Sequence, residues 1–134
     1  MLGWAWAADR LESARNYWLC TTSPSGTPHA RPVWAVWVGD RVCFSTDPAS
    51  PKAWNIARDP RVTIHLESGD DVVILEGVAE RLPEQLAVAV QGAYQSKYAW
   101  DGTVDPASWY GFRPARGYAW TEQSYPQTAT RFNF

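Results

Sequence analysis

The sequence predicts a mainly β protein: a small antiparallel barrel of six or seven strands with two or three flanking helices. Short runs of β-branched and aromatic residues alternate with turn signals such as Gly39-Asp40 and Gly69-Asp70, which is typical of strands joined in hairpins. The length of 134 residues suits one domain, and a hydrophobic share of 46% is enough for a packed core. We therefore expect residues 1–134 to form a single domain.

The first half of the chain is predicted to contain two short helices separated by strands. Charges spaced at three and four around Leu11 predict an amphipathic helix over residues 8–16. A second helix is expected over residues 50–58, and Asp59-Pro60 ends it because the residue before a proline avoids the helical region. Three strands are expected over residues 17–23, 29–38 and 41–46, with the last two forming a hairpin.

The second half is predicted to begin with a hairpin of two long strands, in which Gly77 indicates a β-bulge. A longer helix is expected over residues 83–100, with Pro83 at its start. Pro114 is a candidate break in the strand that follows the helix. The four strands of this half are expected over residues 61–68, 71–82, 109–122 and 129–134.

Composition and charge argue against several classes of function. A net charge of −2 argues against nucleic acid as the main partner, because phosphate backbones require a basic surface. No apolar run is long enough to span a membrane and no signal peptide is recognisable, so we expect a cytoplasmic protein. Two cysteines and two histidines provide neither a disulfide framework nor a zinc site, and we predict no metal. The nine tryptophans indicate an interface or a pocket for a planar ligand.

The bend before the second helix carries the most informative polar residues. The amide N–H groups and partial positive charge of a helix N-terminus favour an anion such as phosphate, and Ser50 and Lys52 stand at that point. Arg31, expected on the adjacent strand of the same hairpin, would add a guanidinium that can form bidentate hydrogen bonds to phosphate. In the alternative interpretation, Ser50 only caps the helix and Lys52 is a solvated residue of its first turn.

The sequence contains none of the common catalytic or nucleotide-binding motifs. There is no G-x-G-x-x-G, no P-loop and no G-x-S-x-G, and neither histidine is paired with a nucleophile by local spacing. A chain with an anion site but no catalytic apparatus of its own indicates that a cofactor carries the chemistry.

The order of these segments resembles the pyridoxamine 5'-phosphate oxidase-like, flavin-binding split-barrel superfamily, and in particular its small members that use FMN or the deazaflavin F420. The resemblance covers residues 16–134. Its most specific segment is "SPKAWNIARDPRV", and it is supported by "HARPVWAVW", "VVILEGVAERL", "GFRPARGYAWTE" and "TATRFNF". It implies an FMN-binding split β-barrel that forms a homodimer with the cofactor at the subunit interface.

The resemblance also implies roles for individual residues. Arg31, Ser50 and Lys52 would approach the cofactor phosphate. The strand "RPVW" would run along the cofactor ring through Pro32, Val33 and Trp34. Ser45 and Thr46 would form hydrogen bonds to the ring and the ribityl chain. Trp120 would reach into the partner subunit's site, as a carboxyl-terminal tryptophan does in the oxidase.

The sequence departs from the true oxidase in ways that change the expected reaction. Val36 replaces a basic residue of the family pattern, Pro51 replaces one half of a basic pair, and the substrate-binding "R-L-H-D-R" is missing. Oxidation of pyridoxamine phosphate is therefore not expected, and the reduced number of basic groups leaves room for F420 in place of FMN.

Three functions remain open on the sequence. The first is an oxidoreductase that transfers hydride between FMN or F420 and a small planar substrate. The second is a non-catalytic protein of the same fold that binds or stores a flavin, F420 or haem. The third, an oligonucleotide-binding barrel with stacked tryptophans, is opposed by the acidic charge balance.

Overall fold

The structure is a computed structural model that describes residues 1–134. It contains three α-helices: α1 (Trp4–Ser13), α2 (Pro51–Arg58) and α3 (Ala87–Tyr98). Its eight strands are β1 (Tyr17–Thr22), β2 (Pro28–Val33), β3 (Val36–Val38), β4 (Arg41–Ser45), β5 (Arg61–His65), β6 (Asp71–Arg81), β7 (Trp109–Thr121) and β8 (Thr130–Asn133). Single 3-10 turns follow β6, precede β7 and follow β7. None of the helices is long and apolar enough to cross a membrane.

The strands form one curled antiparallel sheet in the order β2-β1-β5-β6-β7-β4-β3. The long pair β6–β7 lies at its centre. Two strands share the same edge of β7: β4 pairs with its first residues, and β8 pairs with its later residues. The prediction of a mainly β, antiparallel fold of six or seven strands with two or three flanking helices is confirmed: seven strands follow one path, β8 pairs beside it, and three α-helices flank the sheet.

Two hydrophobic clusters hold the helices on opposite sides of this sheet. The larger cluster fills the concave side, where Leu11 of α1 and Ile56 of α2 pack with Leu19, Phe44 and other inward-facing strand residues. In the smaller cluster, Val90, Tyr94 and Tyr98 of α3 pack against Val36, Cys43 and Trp109 of β3, β4 and β7. Helix α3 therefore covers the end of the sheet at which β4 runs into α2.

The predicted bulge at Gly77 is confirmed. The pairing of β6 with β7 shifts register between Glu76 and Gly77. A Cβ atom at Gly77 would lie 2.0 Å from the Arg113 carbonyl oxygen, so only glycine allows this close approach. Pro114 lies opposite Gly77 and does not break β7, since neither β4 nor β8 pairs with that part of the strand and its missing N–H is not needed.

The prediction of one continuous strand over residues 29–38 is wrong. The chain bends at Trp34-Ala35 because α3 supplies the hydrogen bonds of Ala35: its N–H donates to the Tyr98 hydroxyl at 2.9 Å, and its carbonyl accepts from Lys97 Nζ at 2.9 Å. Strand β2 consequently pairs with β1, and only β3 pairs with β4. Arg31 is therefore not in a hairpin with Ser45 and Thr46, contrary to the prediction.

The helix boundaries differ from the predictions in two places. Helix α1 begins at Trp4, and not at residue 8, because Trp4, Ala7 and Leu11 form its packed face, and it ends at Ser13. The helix expected over residues 83–100 begins with a 3-10 turn at Glu84–Leu86, continues as α3 and ends at Tyr98. Helix α2 and its termination at Asp59 agree with the prediction.

Candidate functional site

The candidate site is an open pocket of about 920 Å³ at the N-terminus of α2. The end of β4, the bend after β2, helix α3 and the loop before β7 form its walls. Five of the nine predicted site residues line it: Trp34, Ser45, Thr46, Ser50 and Lys52. The fold therefore brings Ser50 and Lys52 together with Ser45 and Thr46, but Arg31, the other group of the sequence argument for an anion, does not line the pocket.

The floor of the pocket is the first turn of α2. The Ser50 Oγ accepts a hydrogen bond from the Ala53 N–H at 3.2 Å and lies 2.9 Å from the Thr46 Oγ1. Ser50 thus caps the helix as one interpretation of the sequence held, and the cap also orients two hydroxyls at the helix N-terminus. The partial positive charge of the helix end favours an anion beside them.

Lys52 is the basic group of the pocket. It is partly exposed, and none of the three ion pairs of the chain includes it. The other charged groups that line the pocket are Asp47 and Asp105, whose carboxylates accept hydrogen bonds from the backbone N–H groups of Ala49 and Ala107. An unpaired ammonium at a helix N-terminus is free to bind an anionic ligand.

An aromatic wall faces the α2 end of the pocket. The rings of Trp34 and Tyr98 are stacked with a centroid distance of 4.3 Å and an interplanar angle of 2°. Tyr94 lies 5.1 Å from the Tyr98 ring and 5.7 Å from the Trp100 ring. Burial raises the pKa of Tyr94, an effect that the hydroxyl of Ser45 partly offsets, so the phenol keeps its proton at neutral pH.

Sequence reasoning missed Tyr94 and Trp100 as site residues. The helical spacing of Tyr94 indicated only a core position, and Trp100 lies in a region for which no contact was predicted. The available signal was the count of nine tryptophans, which is too many for the core of a chain of this length.

Lys97 is a second functional candidate that the sequence did not reveal. Its Nζ donates to the Tyr17 hydroxyl at 2.7 Å and to the Ala35 carbonyl at 2.9 Å. Burial lowers the pKa of Lys97 to about 8, with the Glu12 carboxylate acting in the opposite direction. Through Ala35 this lysine fixes the bend that places Trp34 in the pocket wall.

Three predicted residues, Arg31, Pro32 and Val33, lie on β2, outside the pocket lining. Strand β2 lies at one end of the strand order, and both Arg31 and Pro32 are exposed. The Arg31 guanidinium donates to the Ala30 carbonyl at 2.8 Å. Its side chain lies on the same face of β2 as those of His29 and Val33. Leu19, which pairs with Arg31 on β1, lies on this face as well. Helix α2 packs over that face.

Trp120 lies at the other end of the sheet. It is partly exposed near the end of β7, beside Tyr125 at a ring distance of 5.9 Å. Strand β7 begins at Trp109 next to the pocket, and eleven residues at about 3.3 Å each place Trp120 about 36 Å further along. Trp120 is not among the residues that line the pocket of its own chain.

The convex face of the sheet carries aromatic side chains that no helix covers. Trp18 of β1 stacks on His65 of β5 with a centroid distance of 6.5 Å, and the face continues through Ile74 and Tyr118. A shallow groove of about 550 Å³ lies further along this face, beside Arg61, Glu76 and Arg116. This groove lacks a helix terminus and aromatic walls, so we regard the pocket at α2 as the ligand site.

These features define a class of protein: small curled antiparallel barrels with a polar pocket where a strand enters a short helix. The sequence of residues 6–121 matches the family described as pyridoxamine 5'-phosphate oxidase. The chain belongs to this family, which confirms the resemblance seen in the sequence. The structure contains no cluster of three or more histidine, cysteine or acidic side chains that could hold a metal.

Several solved structures are similar to this chain. A conserved hypothetical protein from Mycobacterium tuberculosis is 30% identical over 90% of this chain and 86% of its own, with a TM-score of 0.75. An F420 reductase is 23% identical over 81% of this chain and 93% of its own, with a TM-score of 0.66. A haem binding protein from Mycobacterium smegmatis is 23% identical over 90% of this chain and 53% of its own, with a TM-score of 0.71. No curated protein sequence matches the chain significantly.

Proposed function

We propose that this protein is a homodimeric oxidoreductase that binds FMN or F420 and acts on a small planar substrate. The observation that carries the proposal is the pocket at the N-terminus of α2, which combines Ser50, Lys52 and the hydroxyls of Ser45 and Thr46 with the aromatic wall at Trp34. Family membership and the similarity to an F420 reductase support it.

The residues of the pocket fit a phosphate-bearing redox cofactor. The helix N-terminus, the Ser50 hydroxyl and the unpaired Lys52 ammonium would hold the phosphate. Arg31 would join them from β2, because its side chain lies on the face of the sheet that α2 covers. A bound flavin or deazaflavin supplies hydride transfer, which no side chain of the chain provides.

The remaining groups would orient the ring and the substrate. Trp34, held flat against Tyr98, offers an apolar surface that excludes water from one side of the pocket. Tyr94 keeps its proton and so can donate a hydrogen bond from its hydroxyl to a polar atom of the ring or the substrate. The Ser45 and Thr46 hydroxyls would hydrogen-bond the ring and the ribityl chain.

The homodimer accounts for the location of Trp120 and for the uncovered convex face. Trp120 does not line the pocket of its own chain and lies eleven residues beyond Trp109 along β7, so it would complete a site only on a second copy. The aromatic residues Trp18 and Tyr118 on the convex face are suited to a subunit interface, because such interfaces are enriched in large aromatic side chains.

Cofactor titration followed by turnover tests the proposal. The purified protein is titrated with FMN and with F420 while absorbance and tryptophan fluorescence are recorded, and the loaded protein is then given reductant and a quinone or an enone. We expect saturable binding of one cofactor and multiple turnovers. Binding of neither cofactor would contradict the proposal.

A second candidate function is a non-catalytic binding protein of the same fold. Two observations favour it: the pocket lining contains no histidine or cysteine, and a haem binding protein is among the similar structures. Saturable binding of FMN, F420 or haem without any turnover of quinones or enones would favour this candidate over the oxidoreductase.

A further inference from the structure

We propose that His29, which neither the family resemblance nor the pocket assigns a role, donates a hydrogen bond from Nε2 to the phosphate of the cofactor, and that Asn55 positions it. This inference rests on the proposed function, since it adds a residue to the same phosphate site. It is carried by a partly buried polar contact between α2 and β2.

Asn55 is the residue that connects the two elements. It lies on α2 one turn after Lys52 and is only 3% exposed. Its Nδ2 lies 3.1 Å from Thr21 Oγ1 and 3.1 Å from His29 Nδ1. Burying an amide is costly unless it is hydrogen-bonded, so these contacts fix the rotamer of Asn55.

The chemistry of the amide determines the tautomer of His29. An amide nitrogen only donates hydrogen bonds, so His29 Nδ1 must accept, and the proton of the neutral ring is then on Nε2. Nε2 has no hydrogen-bond partner within the chain. His29 therefore presents a free N–H donor in a fixed orientation.

The contacts between the two elements place His29 beside the helix whose N-terminus forms the proposed phosphate site. Arg58 at the end of α2 donates to the Thr22 carbonyl, near the turn between β1 and β2. The helix therefore runs back along β2 from that turn, through the contact of Asn55 with His29, towards Lys52. Arg31 follows His29 by two residues on the same face of β2. His29 and Arg31 thus follow one another along β2 in the same direction in which Asn55 and Lys52 follow one another along α2.

Two substitutions of His29 separate a ligand contact from a purely structural contact. H29N retains an acceptor near the position of Nδ1 and removes the donor at Nε2. H29Q places an amide donor near the position of Nε2 and removes the acceptor that faces Asn55. Affinity is measured for whichever of FMN and F420 the wild type binds, and for the same molecule without its phosphate (riboflavin, or the riboflavin-like 5-deazaflavin).

We expect H29N to weaken binding of the phosphate-bearing cofactor by about tenfold or more, and H29Q to weaken it much less. Neither substitution should change the affinity for the phosphate-free compound. The reverse order of the two variants, equal losses on both compounds, or an unchanged affinity of H29N would each overturn the inference. If the wild type binds neither cofactor, the proposed function fails and this inference fails with it.

The tautomer is measured independently of any ligand by ¹⁵N NMR of the ring at about pH 8.5, where a free imidazole is neutral. The chain has two histidines, so H29Q assigns the signals. We expect a protonated Nε2 and an unprotonated Nδ1 in His29. A proton on Nδ1 would overturn the proposed role of Asn55.

Discussion

Replacing Lys52 with alanine tests the anion site most simply. In the structure Lys52 makes no ion pair within the chain and is partly exposed, so its removal leaves the fold intact. A charge-assisted hydrogen bond contributes about 1.5–3 kcal/mol, and each 1.4 kcal/mol is about tenfold in affinity. We therefore expect Lys52→Ala to raise the Kd for FMN or F420 by about 10- to 100-fold.

Fluorescence titration of the wild type and the variant measures this effect, with a denaturant curve to confirm unchanged stability. The matched control is Arg116→Ala, which removes one exposed positive charge that makes no ion pair and lies outside the pocket. A general effect of net charge would weaken binding equally in both variants. Equal affinity of Lys52→Ala and the wild type would refute the reasoning, because it would remove the only lysine of the pocket from the site.

Three further predictions concern the bulge, the shared site and the buried lysine. Gly77→Ala should lower the free energy of unfolding, measured by urea denaturation, by about 1–3 kcal/mol or more. The reason is that the new Cβ would lie 2.0 Å from the Arg113 carbonyl oxygen of the neighbouring strand. Unchanged stability would contradict the bulge geometry. Trp120→Ala and Lys52→Ala should each weaken cofactor binding, and heterodimers co-expressed from the two variants should recover one intact site per dimer; no recovery would refute a site shared between subunits. The pKa of Lys97 is lowered in the folded state to about 8. Between about pH 8 and 10.5 the unfolded chain therefore binds one more proton at this lysine than the folded chain does. The free energy of unfolding of the wild type relative to Lys97→Met should therefore rise with pH over that range. If the difference between the urea midpoints of the two proteins stays constant from about pH 8 to 10.5, the ammonium is not buried.

The parts of the fold that the sequence revealed are those determined by local signals. The cap at Ser50 and the end of α2 at Asp59 follow from residue preferences at helix ends, and Gly77 marked the bulge because no other residue fits there. Nearly continuous runs of valine, isoleucine and leucine were sufficient to predict strands β5 and β6.

The parts that the sequence did not reveal depend on contacts distant in the chain. The bend at Trp34-Ala35 is fixed by Lys97 and Tyr98, more than 60 positions later, and a strand-like sequence cannot indicate it. The same bend moves Arg31 to an outer strand that pairs with β1. Tyr94 had the spacing of a core residue, and only the packing of α3 shows that it also lines the pocket.

The sequence analysis named the residues that form the floor of the pocket, but of the aromatic wall it named only Trp34. Ser45, Thr46, Ser50 and Lys52 are close in sequence, so a single turn assembles them. The aromatic wall combines Trp34 with residues of α3 and the loop after it, and its assembly depends on tertiary packing.

The central claim is that the phosphate of a redox cofactor binds at the N-terminus of α2, in a pocket completed by a second subunit. A crystal structure of the protein grown with the cofactor that it binds in titration tests this most directly. We expect the phosphate beside Ser50 and Lys52, the ring along the strand that ends at Trp34, and the partner's Trp120 at the edge of the same pocket. A cofactor bound elsewhere, or an α2 N-terminus that faces open solvent away from any groove between two subunits, would contradict the account.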